Sequence, residues 1–177
     1  MTLKTYLCAA PVALALLLSA CGGKSEDSAT AYCPAPFTVQ DAGRLTHFRD
    51  GPGRDPRDVE YEAALAGVGA TCILRRNRMD VTLIMRVAVT AGPSAPAGQT
   101  RVPYFVRVLG SSGQVVQGQD FTADFKLSSA NPRGQSQEEL NLTLPFNQIS
   151  ELGSYRIAVG LKPSMEELDY NRRQGQR

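Results

Sequence analysis

From Val59 to Leu161 the apolar residues recur at every second position, a spacing that suits strands because only a pleated strand turns alternate side chains to opposite faces. Val59, Tyr61, Ala63 and Leu65 share one face. Gly67 and Gly69 then interrupt the count, and Cys72 and Leu74 fall on the other parity, which predicts a bulge or turn between them. Arg75-Arg76-Asn77-Arg78 reads as a polar hairpin tip. The alternation resumes through Val81, Leu83, Met85, Val87 and Val89, breaks at the Pro/Gly-rich run 92–98, and continues through Val102, Tyr104, Val106 and Val108. Gly110-Ser111-Ser112-Gly113 predicts a turn into Val115 and Val116. Phe121, Ala123, Phe125 and Leu127 form the next strand, Ser128 to Gln137 reads as a loop, and Leu140 to Phe146 and Tyr155 to Leu161 complete the set. Six or seven strands separated by turn signals predict an all-β fold, an antiparallel immunoglobulin-like or fibronectin-like β-sandwich.

A different pattern closes the chain. Ser164-Met165-Glu166-Glu167 after Pro163 has capping-box spacing, so a short C-terminal helix is expected, with Met165, Leu168 and Tyr170 packed on the sandwich. Arg172 and Arg173 then place positive charge where the helix dipole favours it. Leu152-Gly153-Ser154-Tyr155, between the last two strands, resembles the tyrosine corner of immunoglobulin-like domains, though the chain has no tryptophan to match their core.

Ahead of the strands, Lys4 precedes a dozen largely apolar residues ending at Leu18, too few to span a bilayer, which requires about 20. The run closes on Leu18-Ser19-Ala20-Cys21, which resembles the lipobox of bacterial lipoproteins. That resemblance implies cleavage before Cys21 and attachment of palmitate-type acyl chains there, two or three of which hold a protein durably on a bilayer. It divides the chain into a signal peptide (1–20), a lipidated cysteine with flexible tether (21–35) and one β-sandwich domain (36–177). Gly22, rather than Asp, after the cysteine implies sorting to the outer membrane. The tether Gly23 to Ala31 is small and polar, with a root-mean-square reach of about 15 to 20 Å.

Cysteine counting then narrows. Cys8 leaves with the leader and Cys21 carries lipid, so Cys33 and Cys72 remain as a pair, and an oxidising periplasm predicts a disulfide between them. No Cys-x-x-Cys spacing occurs and His47 is the only histidine, so neither a metal nor a cofactor is expected. The net charge of +2 over 177 residues lacks the basic bias of a nucleic-acid binder.

Further clusters bear on chemistry. Arg49-Asp50, Arg54-Asp55 and Arg57-Asp58 pair each carboxylate with an adjacent arginine, which disfavours calcium and favours a solvated ion-pair network at the start of the first strand. Arg75, Arg76 and Arg78 are candidate contacts to a membrane surface, with ordinary turn solubility as the alternative. His47 has no partner at triad spacing, and neither a Gly-x-Ser-x-Gly elbow nor a phosphate loop is present, so no catalytic residue is assigned. Arg44 to Asp55, Pro103 to Val106 and Leu168 to Arg172 resemble uncharacterised envelope lipoproteins of alphaproteobacteria, a resemblance that implies location but no activity. The resulting expectation is a non-enzymatic lipoprotein facing the periplasm, held by its acylated Cys21 and presenting its sandwich to another envelope protein. The alternatives are a small-ligand carrier with a pocket lined by Tyr104, Phe105, Phe121 and Phe125, and an envelope hydrolase.

Overall fold

The alternating runs become strands of two facing sheets in the computed structural model, which describes residues 32–175. In chain order these are β1 (Pro36–Thr38), β2 (Arg44–Phe48), β3 (Val59–Leu74), β4 (Arg78–Ala91), β5 (Gly98–Leu109), β6 (Val115–Leu127), β7 (Arg133–Pro145) and β8 (Arg156–Leu161), followed by helix α1 (Met165–Gly175). One sheet has the order β1-β8-β5-β6 and the other β2-β3-β4-β7. All pairings are antiparallel except β1 with β8, which is parallel. The fold is therefore the expected all-β sandwich with a short C-terminal helix. The leader, Cys21 and most of the 21–35 segment lie outside the described residues.

The inward parity is the one the sequence marks. Val81, Leu83, Met85, Val87 and Val89 of β4 face Val102, Tyr104, Val106 and Val108 of β5, and all are buried. Truncating such a residue, Leu83→Ala for example, removes about 2 to 5 kcal/mol because the surrounding core closes only partly over the void. The interruption expected near Gly67 is a register shift between Leu65 and Gly67, which lets β3 continue to Leu74 with Cys72 and Leu74 facing inward. The predicted tip spans Arg75 to Arg78, closed by the Arg75 amide donating to the Arg78 carbonyl at 2.8 Å.

Three expectations are corrected. There are eight strands, because β1 and β2 precede Val59; both are short, and β2 mixes Arg44, Thr46 and His47 with its apolar residues. The stretch 128–137 is not all loop: β7 begins at Arg133 and pairs with β4 from Thr90 onward. Its first inward positions are Gly134, Ser136 and Glu138, so a true strand shows no apolar period there. Met165 does not pack on the sandwich but is 73% exposed. Glu167 is the residue α1 buries, at 8% exposure.

Helix α1 lies along β2, the outer strand of its sheet. Asn171 Nδ2 donates to the Arg44 carbonyl at 2.9 Å, and the Tyr170 ring meets Phe48 edge-on at 4.9 Å. The helix thus covers backbone groups that an edge strand would otherwise offer to another chain. Gly160 of β8 is required by close packing, since a Cβ there would lie 2.4 Å from the Phe105 ring and 2.7 Å from the Ala42 Cβ.

Candidate functional site

Strand ends define two poles. At one, the β3–β4 tip meets the corner after β7, where the Phe146 amide donates to the Asn77 carbonyl at 3.1 Å. That corner leads into β8, whose Arg156 is opposite Leu109 of β5, itself opposite Val115 of β6. Pro36 of β1 is opposite Ile157 of β8, so the described chain begins at this same pole. There Tyr32 packs against the core, Pro34 is buried, and Cys33 is bonded to Cys72 with their Cα atoms 5.6 Å apart. The expected disulfide is present, and it ties the approach to β1 in one sheet to β3 in the other.

Arg75, Arg76 and Arg78 project at this pole and are exposed. Asp80 is the acid between them, 3.1 Å from Arg75 and 3.0 Å from Arg78. The Arg75 guanidinium, together with Arg78, holds the Asp80 carboxyl below its ordinary value. Arg76 makes no ion pair among the described residues. The corner itself is closed by the Tyr155 hydroxyl donating to the Pro145 carbonyl at 2.9 Å, ten residues upstream.

A second cluster escaped the sequence reading. His47 Nδ1 lies 2.7 Å from Glu167 Oε1, across 120 residues of chain, and its Nε2 lies 3.8 Å from Glu60. The Tyr61 ring sits 4.8 Å away. The hydrogen bond to Glu167 raises the His47 value above its ordinary one, against the opposing effect of burial. Burial by itself would raise Glu167, but hydrogen bonds from His47 and Ser164 outweigh it and hold the carboxyl below its ordinary value. The other Glu167 oxygen accepts from the Ser164 amide at 2.7 Å, which is the capping box the sequence signals. One carboxylate therefore both starts the helix and clasps it to β2. The capping motif was the only sequence signal that Glu167 is held, and nothing in it pointed to His47.

The charged segment after β2 is an ion-pair network, but its pairing is not between neighbours. Arg49 binds Asp58, Arg57 binds Asp55, and Arg54 reaches α1 to bind Glu166. Asp58 is only 7% exposed and accepts from the Asp55 amide as well as Arg49 Nε, so the network is partly buried rather than fully solvated.

The four aromatics considered for a ligand pocket do not surround one. Tyr104 and Phe121 stack within the core at 5.2 Å between ring centroids, and Phe125 packs beside Gly134. Phe105 takes the opposite face of β5, against Gly160 and under Arg107. Burial lifts the Tyr104 hydroxyl well above its ordinary value, and the hydroxyl donates a hydrogen bond to Glu138 Oε2 at 3.3 Å. A cleft of about 1090 Å³ lies instead between α1 and the outer face of the other sheet, lined by Arg44, Thr46, Glu62, Thr90, Asn171 and Arg172 among others. Among the described residues no group of three His, Cys, Asp or Glu side chains is arranged to hold a metal ion, and no helix is long and apolar enough to cross a membrane. No protein-family model matches the chain, and no curated protein matches it.

Proposed function

We propose that this protein is a non-enzymatic lipoprotein of a bacterial envelope, anchored through acylated Cys21, facing the periplasm from the outer membrane and serving as an interaction or assembly module for another envelope protein. The observation that carries the reading is the lipobox Leu18-Ser19-Ala20-Cys21 at the end of a short apolar leader. The Cys33–Cys72 disulfide supports it, because such bonds persist in oxidising compartments and seldom in cytosol. The sandwich supports the binding half of the reading by analogy of architecture alone.

Metabolic labelling with a palmitate analogue tests the anchor. The wild-type chain takes up label and Cys21→Ala does not; label that persists in Cys21→Ala, or an unlabelled wild type, overturns the anchor. Crosslinking in intact cells followed by detergent extraction tests the role. A defined adduct is expected, and a protein recovered solely as itself overturns the assembly reading.

A further inference from the structure

The exposed large apolar side chains are unevenly distributed. Ile73, Val115, Val116 and Ile149 are 54, 56, 51 and 41% exposed. All four belong to the pole where the described chain begins: Ile73 is the last residue but one of β3, beside the arginine tip, Val115 and Val116 open β6, and Ile149 lies in the corner before β8. Met165, the remaining one among the described residues, sits at the distal pole where α1 starts. The pole where the described chain begins also carries Arg75, Arg76, Arg78 and Arg156, against the acids Asp80 and Glu151, leaving an excess of two positive charges (four minus two). Arg156 lies over the Phe37 ring at 4.8 Å.

We propose that this pole is a bilayer-docking face, on which the three tip arginines meet anionic phospholipid headgroups while Ile73, Val115, Val116 and Ile149 insert at the level of the headgroups. The proposal rests on the lipid-anchored reading above. Two observations choose a lipid surface over a protein. The chain leading from Cys21 joins the fold at this pole, and the disulfide fixes that junction to the sandwich, so a short tether holds this end nearest the membrane. Arginines standing at the same end as exposed apolar side chains suit a surface that is itself layered into charged headgroups above acyl chains. Docking leaves the α1 side and the distal loops turned toward the periplasm, where a protein partner can reach them.

The chain contains no tryptophan, so a single introduced indole reports its own surroundings. Full-length Ile73→Trp, Val116→Trp and Met165→Trp, purified in detergent after export in a Gram-negative host, are reconstituted on vesicles of phosphatidylethanolamine with a minority of phosphatidylglycerol. Brominated phospholipid quenches the indole at positions 73 and 116 and shifts their emission to the blue, and leaves position 165 unchanged. Adding Arg76→Gln to the Val116→Trp chain lowers the docked-to-undocked ratio roughly fivefold, the worth of one basic side chain near an anionic surface. Chains that float with the vesicles yet show equal, weak quenching at all three positions overturn the docking face while leaving the anchor intact. Chains that do not float overturn both. Indoles at 73 and 116 that ignore lipid but become shielded when envelope extract is added assign the pole to a protein and overturn the proposal.

Discussion

At the N-terminal pole a covalent bond between Cys33 and Cys72 joins the two sheets, whereas along β2 the helix α1 is held by hydrogen bonds and ion pairs centred on Glu167. The first attachment is indifferent to pH and salt and answers to reductant. The second is indifferent to reductant and answers to protons. The contrast shows two ways of securing a peripheral segment to a sandwich whose core is already complete without it. The pole where the described chain begins carries the permanent bond, and the C-terminal segment carries the adjustable one.

The largest effect separating the two comes from removing the disulfide. Cys33→Ser/Cys72→Ser should lose about 4 kcal/mol, the chain-entropy value for a closed loop of this size. Urea unfolding at two pH values measures it, and the loss should be the same at both; a loss that varies with pH breaks the comparison. Next comes the clasp. Glu167→Gln removes the ion pair with His47 while keeping a side chain able to cap, and should cost about 1 kcal/mol because the imidazole is partly exposed. Amide exchange in α1 should quicken while β4 is unchanged, and uniform acceleration of both would show that the helix is not a separate unit.

The same clasp has a defined pH window. Because the His47 value is raised, its contribution is complete below the ordinary 6.5 and is lost as pH climbs through the raised value. Because the Glu167 value is lowered, its contribution is present above the ordinary 4.5 and is lost as pH falls through the lowered value. Protection of α1 should therefore be greatest between those two ordinary values and weaken on either side, with Glu60 and Asp50 adding to the charge that favours imidazolium. A flat profile in the wild type would remove His47 from the attachment. The smallest effect is expected from Tyr155→Phe, which deletes an exposed hydrogen bond to Pro145 at the corner and should lower stability by about 0.5 kcal/mol without changing α1 exchange.

Legibility followed the apolar period. β3, β4, β5, β8 and the second half of β6 present apolar residues inward, so their alternation announced them, while Gln117 to Asp120 of β6 are exposed and polar and announced nothing; the bulge near Gly67 announced itself as a change of parity. The first half of β7 was hidden because Gly134, Ser136 and Glu138 occupy its inward positions. There Gly134 makes room for Phe125, and Glu138 receives the Tyr104 hydroxyl, so partners on other strands decide residues that look loop-like in isolation. The disulfide was readable because counting left two cysteines. The His47–Glu167 clasp was not, since a contact across 120 residues leaves no local spacing to detect. The ion-pair network after β2 was legible as a network, but the reach of Arg54 to Glu166 of α1 was not, because that contact also spans more than a hundred residues.

The position of Cys33 also decides how the molecule bears a mechanical load. Tension arriving along the chain from the N-terminal side reaches residue 33 before it reaches the three-residue β1, and is diverted through sulfur into the long strand β3. That strand is paired with β4 along most of its length, through Cys72 to Leu74, and with β2 nearer its start, so the load enters a far longer ladder than that of β1. A pull that would fall on the three-residue pairing of β1 with β8 in the reduced protein is instead delivered to the opposite sheet.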